Sequence, residues 1–341
     1  AMASIELPAS ISDLVPLEKA RAATATANGI RSLLIPHYRF TEVIREVASH
    51  HLRWCPDPNR EAKCLLVHGK TRVGKSVPLR YYASQFPPFR DPDGMVRRVL
   101  YVVAPSGADK YSLQRRILRA LGIEAQLKSD VATAVIDRQL RMQRVELLII
   151  DEFNHLADLR SDERQYLAAD MLKELANWNS CQLAFCGLDS SLSVLEANGQ
   201  LLNRTPYRFE VERYDWSKPS NQIEYKNLLA EIAEALPFRR RPLLDADPLA
   251  RRLALASGGL VGLMVEIVAV AAEVAVAQGA AEFQQKHLAD AFDMLKPPGL
   301  AGNPFRGDVR DVVFDDSYAD LVTRGLGQKI ELLKMRKPAR A

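Results

Sequence analysis

The stretch Gly69-Lys70-Thr71-Arg72-Val73-Gly74-Lys75-Ser76 fills every fixed position of the pattern G-x-x-x-x-G-K-[ST], directly after the apolar run Cys64-Leu65-Leu66-Val67. Few folds accommodate that pairing, because the pattern works only where a strand turns abruptly into a helix. Its two glycines let the backbone turn tightly, so that amide N–H groups and the next helix N-terminus converge on an anion. In a nucleotide site, Lys75 would reach the β and γ oxygens and the Ser76 hydroxyl would ligate Mg²⁺, with Val77 closing the cradle. Pro78 suits the first turn of the following helix, where a missing N–H costs little.

A second stretch, Glu146-Leu147-Leu148-Ile149-Ile150-Asp151-Glu152, ends four apolar residues in two acids. Between the two stretches lie an apolar run at 99–104 and helical patterns at 112–121 and 131–144. Runs that do not alternate suit a parallel sheet covered on both faces. Two intervening strand–helix units place Asp151 and Glu152 at the carboxyl end of a central strand, the edge where open α/β sheets bind ligands. There Asp151 would hold Mg²⁺ through water, and Glu152 would polarise the water attacking a γ-phosphate.

Residues 182–186, ending at Gly187, and 207–211 read as fourth and fifth strands, with a helix at 191–198 between them. A polar side chain just past the fourth strand would orient the attacking water. Leu188 is the immediate neighbour, which leaves Asp189 or Ser190. A helix at 163–178 is expected to bury Tyr166, Leu167, Met171, Leu172 and Leu175, and residues 85–94 read as a proline-rich loop. Upstream, Thr41 is a candidate N-cap for a helix carrying Val43, Ile44, Val47 and Ala48. Residues before 35 read as an extension with one short helix at 17–27. Lys110, Arg115 and Arg116 gather around the polar face of the 112–121 helix, which is either a solvated face or a patch that meets duplex DNA.

With 341 residues, 48% of them hydrophobic, the chain has material for a P-loop domain and at least one smaller one. Helical patterns at 221–236, 248–256, 260–277 and 284–295 supply the second, followed by an irregular tail that reads as a linker or partner-binding arm. A net charge of +4 permits a nucleic-acid partner without requiring one, so any such site must be a local patch. Cys55, Cys64, Cys181 and Cys186 form no C-x-x-C pair and read as reduced core residues. The chain opens without a charged-then-apolar leader, which points to a cytoplasmic protein with no membrane partner. Glu266 and Glu273 interrupt the longest apolar run, 260–277, which suits a buried helix better than a membrane span.

The whole order resembles the AAA+ ATPases: P-loop strand, two strand–helix units, acid pair, polar-tipped fourth strand, an arginine before the fifth strand, then helices. Leu148-Ile149-Ile150-Asp151-Glu152-Phe153-Asn154-His155-Leu156, the stretch from Gly199-Gln200-Leu201-Leu202-Asn203-Arg204 to Trp216, and Ser257-Gly258-Gly259-Leu260-Val261-Gly262 are similar to the TniB/TnsC-type transposition ATPases. The resemblance implies an α/β fold, a five-stranded parallel P-loop AAA+ sheet flanked by helices, with a C-terminal α-helical lid. It divides the chain into an extension (1–40), a nucleotide-binding subdomain (41–215), the lid (216–296) and a tail (297–341). It implies ATP and Mg²⁺ as ligands, and assembly into a homo-oligomeric ring or filament on duplex DNA through nonspecific backbone contacts. A DDE-type transposase and a TniQ-type targeting protein are the implied partners, and target-site selection the implied task. Arg204 matches the family's arginine finger, with Arg208 as a rival. Leu188 departs from the family's small polar residue, and Gly262-Leu263-Met264 stand where many AAA+ proteins carry a lid arginine, so slow turnover is implied. A replication-initiator or loader ATPase, and a nucleotide-dependent scaffold that scarcely hydrolyses, remain alternatives.

Overall fold

The computed structural model describes residues 17–54, 62–124, 127–156, 162–177, 179–296 and 302–307. They form two compact units, one running from Tyr38 to Glu212 and the other combining the N-terminal helix with everything from Arg213 onward.

The first unit is built on a parallel sheet. Strands β1 (Cys64–His68), β4 (Val99–Val103), β5 (Leu147–Asp151), β6 (Gln182–Gly187) and β7 (Tyr207–Glu210) pair in the order β4-β5-β6-β1-β7. All five residues of β5 and all six of β6 are buried, as expected for apolar runs covered by helices on both faces. Helices α2 (Tyr38–His51), α3 (Ser76–Ser84), α4 (Lys110–Ala120), α5 (Ser129–Met142) and α6 (Asp162–Asn177) supply that cover. Two short helices, α7 (Ser191–Glu196) and α8 (Gly199–Arg204), connect β6 to β7.

Four expectations are corrected. Thr41 lies inside α2 instead of capping it, because the helix starts at Tyr38. The proline-rich segment holds a hairpin, β2 (Phe89–Asp91) with β3 (Gly94–Val96), closed where Asp91 Oδ1 accepts from the amides of Asp93 and Gly94 at 3.0 and 3.1 Å. Tyr166 and Leu167 are exposed, since the buried face of α6 runs through Ala168, Met171, Leu172, Leu175 and Ala176, with alanines completing the stripe. The helix expected at 191–198 ends at Glu196, and the segment through Arg204 is itself helical, with the Asn198 side chain accepting from the Gln200 and Leu201 amides.

Cys64, Cys181 and Cys186 are free and buried; Cys55 lies outside the described residues. Two histidines of α2 are also buried. His50 Nε2 donates to the Leu183 carbonyl at 3.0 Å, and burial pulls its pKa down to about 4. The folded chain therefore keeps His50 neutral where the unfolded chain takes up a proton. Stability from this residue is complete above about pH 6.5 and is lost as pH falls toward 4. Urea titrations across that window are expected to show a loss on the order of 2 kcal/mol, and His50→Gln to flatten the profile. Neighbouring His51 bridges the Tyr82 hydroxyl and Glu146 Oε2, each at 2.9 Å, and Arg98 Nε closes on Glu146 Oε1 at 2.9 Å.

In the second unit, α1 (Leu17–Arg31) packs on the long helix α11 (Val261–Ala277), beside α9 (Pro219–Ala235), α10 (Leu249–Ser257) and α12 (Gln285–Leu295). The helix expected at 17–27 is thus a turn longer, and it answers the two acids in the apolar run. Arg31 forks onto Glu266 at 2.8 and 2.9 Å, and the Thr24 hydroxyl donates to Glu273 at 3.1 Å. Gly258 and Gly259, both left-handed, turn the chain between α10 and α11, and a Cβ on Gly259 would sit 1.9 Å from the Tyr214 carbonyl oxygen. Fully buried Arg252 donates to the Pro304, Arg306 and Gly307 carbonyls, the last at 2.8 Å, while Phe305 is buried. Residues 302–307 of the expected tail are thereby fastened to the helices, and 297–301 and the remainder from 308 lie outside the described residues. Among the described residues, no single helix is long and apolar enough to cross a membrane.

Candidate nucleotide site

The strand ends at the carboxyl edge of the sheet bring the sequence-predicted groups together. β1 stops at His68, and Gly69 takes φ +145°, with its α-carbon against β7's continuation: a Cβ there would lie 2.5 Å from the Val211 carbonyl oxygen. Arg72 and Gly74 also adopt positive φ, +58° and +103°, so the loop wraps into a concave ring of backbone that opens into the N-terminus of α3 at Ser76. Lys70, Thr71, Arg72 and Val73 form its arc; Val77 is exposed on the first turn of the helix. Lys75 is buried, and its Nζ donates to the Gly69 and Lys70 carbonyls at 2.8 and 2.7 Å. Burial pulls this ammonium below the usual lysine range, opposed by the negative charges of Glu152, Asp151 and Asp189. Four groups read separately from the sequence thus lie at one carboxyl edge of the sheet.

Asp151, last residue of β5, is buried, with Oδ2 accepting from the Tyr101 hydroxyl at 2.5 Å and Oδ1 from the Glu152 amide at 2.8 Å. Burial beside this carboxylate pushes the Tyr101 phenol far up, so it stays a donor. Glu152 follows in the left-handed region, φ +54°, which turns the chain sharply into the 3₁₀ turn Phe153–Leu156. From that turn, Asn154 Oδ1 accepts the Leu188 amide at 3.1 Å and His155 Nδ1 donates to the Ala104 carbonyl at 3.0 Å. Asp189 Oδ1 lies 2.9 Å from His68 Nδ1. Tyr101 and His68 escaped the sequence reading, because parallel register, not spacing along the chain, brings them to the site; Asn154 comes with the turn after Glu152 and shows its part only through the bond it accepts from the Leu188 amide.

Other candidates stand elsewhere. Arg204 ends α8 just before β7, beside Cys64, and so at the amino edge of the sheet, opposite the P-loop. Arg208 donates to the Thr205 carbonyl at 3.3 Å. Lys110 opens α4, whose N-cap Asp109 forms a reciprocal capping box with Ser112, and Arg115 and Arg116 are exposed farther along that helix.

The donor set fits a magnesium nucleotide. Glycine at 69 is required by the close approach of Val211, the loop holds a buried ammonium through the Gly69 and Lys70 carbonyls, and a carboxylate and a hydroxyl stand at the ends of β5 and the P-loop. This site, on a parallel sheet of this order in a chain that also carries a helical unit, defines an ATPase fold of the AAA+ class. Within that class the chain belongs to the TniB family: the family model described as bacterial TniB protein matches residues 31–215, more than half of the 341. No curated protein matches the chain.

Solved structures place the same fold widely. Cdc6p from Pyrobaculum aerophilum is similar at TM-score 0.57 and 15% identity, over 77% of this chain and 69% of that one. ORC2 of Aeropyrum pernix, in its ADPNP–ADP complexes, gives 0.56 and 14% over 77% and 69%. ORC1 of Aeropyrum pernix in complex with DNA gives 0.53 and 16% over 77% and 66%. At these identities the likeness is one of fold.

Proposed function

We propose that the chain is an ATP-dependent regulator of DNA transposition that assembles on duplex target DNA, selects the insertion site and recruits the transposase. The observation that carries the reading is the placement of Lys75, Asp151, Glu152 and Asp189 at one carboxyl edge of the sheet, around a glycine-turned loop in a TniB-family chain. Residues 69–77 hold the triphosphate of ATP, and Lys75 supplies the charge that faces it. Ser76 and Asp151 hold Mg²⁺, which when bound offsets charge on the phosphates. Glu152, carried past the end of β5 by its left-handed turn, accepts the proton of the attacking water, and Asp189 orients that water.

Arg204 lies across the full length of β1 from its own P-loop, roughly 15 Å of strand. If it serves an ATP, that ATP belongs to a neighbouring copy, so the site is completed by assembly. On this reading 41–215 are the nucleotide-binding subdomain, 216–296 the lid, 1–40 an extension and 297–341 the arm offered to partners, a DDE-type transposase and a TniQ-type targeting protein. ATP turnover then drives disassembly, in the cytoplasm. Leu188 favours a slow rate, because an apolar side chain follows Gly187. The replication-initiator alternative draws support only from the likeness in fold to ORC and Cdc6 proteins, whereas the family match favours transposition.

DNA contacts are assigned to Lys110, Arg115 and Arg116. Contacts of this kind touch phosphate and carry no sequence code. Filter binding across a salt series is expected to show ATP-dependent, sequence-indifferent retention of duplex DNA. The double variant Arg115→Ala, Arg116→Ala should lower the slope of log affinity against log salt by about 2. Equal retention with and without ATP would overturn ATP-dependent assembly, and an unchanged slope would remove these two arginines from the contact.

A further inference from the structure

Asp189 is an odd choice for a group beside a triphosphate. It is a carboxylate, its side chain is about half exposed, and it adds to the negative field already made by Asp151 and Glu152 at Lys75. Left to itself, such a side chain would sample several solvent rotamers and orient nothing.

The structure does not leave it to itself. His68, the residue immediately before Gly69, donates from Nδ1 to Asp189 Oδ1 at 2.9 Å. Its own backbone is pinned on both sides, paired with Gly187 of β6 and with Glu210 of β7, and its carbonyl accepts the Val211 amide at 2.7 Å. Gly187 is in turn too crowded for any side chain: a Cβ would meet the Ser191 hydroxyl at 2.2 Å and Asn154 at 2.8 Å. The Leu188 amide is taken by Asn154 Oδ1 at 3.1 Å, from the turn that carries Glu152. Residues 187–189 therefore hang between two polar anchors, one on the P-loop strand and one on the acid-bearing turn.

We infer that His68 is the positioning residue for Asp189, and that the His68–Asp189 pair, not a single polar side chain, senses the γ-phosphate in this chain, with Asp189 accepting from the water that donates to the γ-phosphate. The pair substitutes for the small polar residue displaced by Leu188. Through Asn154 the same loop is tied to the turn of Glu152, so a shift of Asp189 on loss of the γ-phosphate is felt at the acid. This inference rests on the ATP-site reading above.

The test compares ATP and ADP affinity by fluorescent-nucleotide titration, with hydrogen exchange of the 187–190 loop measured in nucleotide-free protein. His68→Ala is expected to lower the preference for ATP over ADP about tenfold, the scale of one charge-assisted hydrogen bond. It should also speed exchange in the loop and lower kcat with little change in KM. Asp189→Ala should match it, and the double variant should be no worse than either single one, since the two act as a unit. His68→Gln, whose amide still donates, should recover most of the preference. Wild-type preference in His68→Ala, or losses that multiply in the double variant, would overturn the pairing. A Lys75→Ala control separates the two levels. Retained nucleotide binding there sinks the ATP site itself, whereas lost binding there with an unaffected His68→Ala sinks only the role of His68.

Discussion

Lys75→Ala is expected to weaken ATP binding more than a thousandfold in isothermal titration calorimetry, while the protein stays folded. The size follows from placement. Nζ is buried among the loop carbonyls of Gly69 and Lys70, where a charge facing a triphosphate is screened little. No other lysine or arginine among the described residues donates to those two carbonyls. Stability should move by less than about 1 kcal/mol, because removing the ammonium also removes the cost of burying it, which offsets the two lost hydrogen bonds. A melting curve close to wild type together with lost binding assigns the lysine to the ligand. Binding within tenfold of wild type would remove the P-loop assignment altogether.

Glu152→Gln should separate binding from turnover. The amide keeps the shape of the side chain but cannot accept a proton, so kcat is expected to fall by two to three orders of magnitude, with ATP affinity unchanged or higher. Glutamine adopts the left-handed backbone of this position no less readily than glutamate, so the turn at φ +54° and the neighbouring bond from the residue 152 amide to Asp151 should persist. Phosphate release gives the first quantity and nucleotide titration the second. The variant should also hold DNA longer after ATP addition, since turnover is assigned to disassembly. Phosphate release equal to wild type would leave a nucleotide-dependent scaffold as the better description.

How much of this was legible in the sequence depended on whether chemistry was local. The P-loop and the acids of β5 could be read because each needs a fixed run of neighbours: glycines where φ must be positive, and an apolar run that ends at charge. The parallel sheet followed from four runs without alternation, while the fifth, Tyr207–Glu210, alternates as suits its place at the sheet edge. Residues that meet through register were invisible. Tyr101 reaches Asp151, and His68 reaches Asp189, only because neighbouring strands align at the carboxyl edge, a fact absent from either strand's own pattern. The hairpin at Asp91 and Gly94 was masked by its prolines, although a D-P-D-G sequence is a turn signal in its own right. On α6, size misled: Tyr166 and Leu167 are larger than the alanines that actually face the core. Similarly, α1 looked like an appendage because its partners, Glu266 and Glu273, lie more than two hundred residues away.

The carbonyls of Pro304, Arg306 and Gly307 are the acceptors found for the Arg252 guanidinium, one of the most deeply buried side chains in the molecule. A gene truncated just after Leu295 would therefore encode a protein with a cation stranded in an apolar interior, at a cost of several kcal/mol. A chain that runs through Gly307 keeps all three acceptors, so affinity tags or fluorescent fusions belong beyond that glycine.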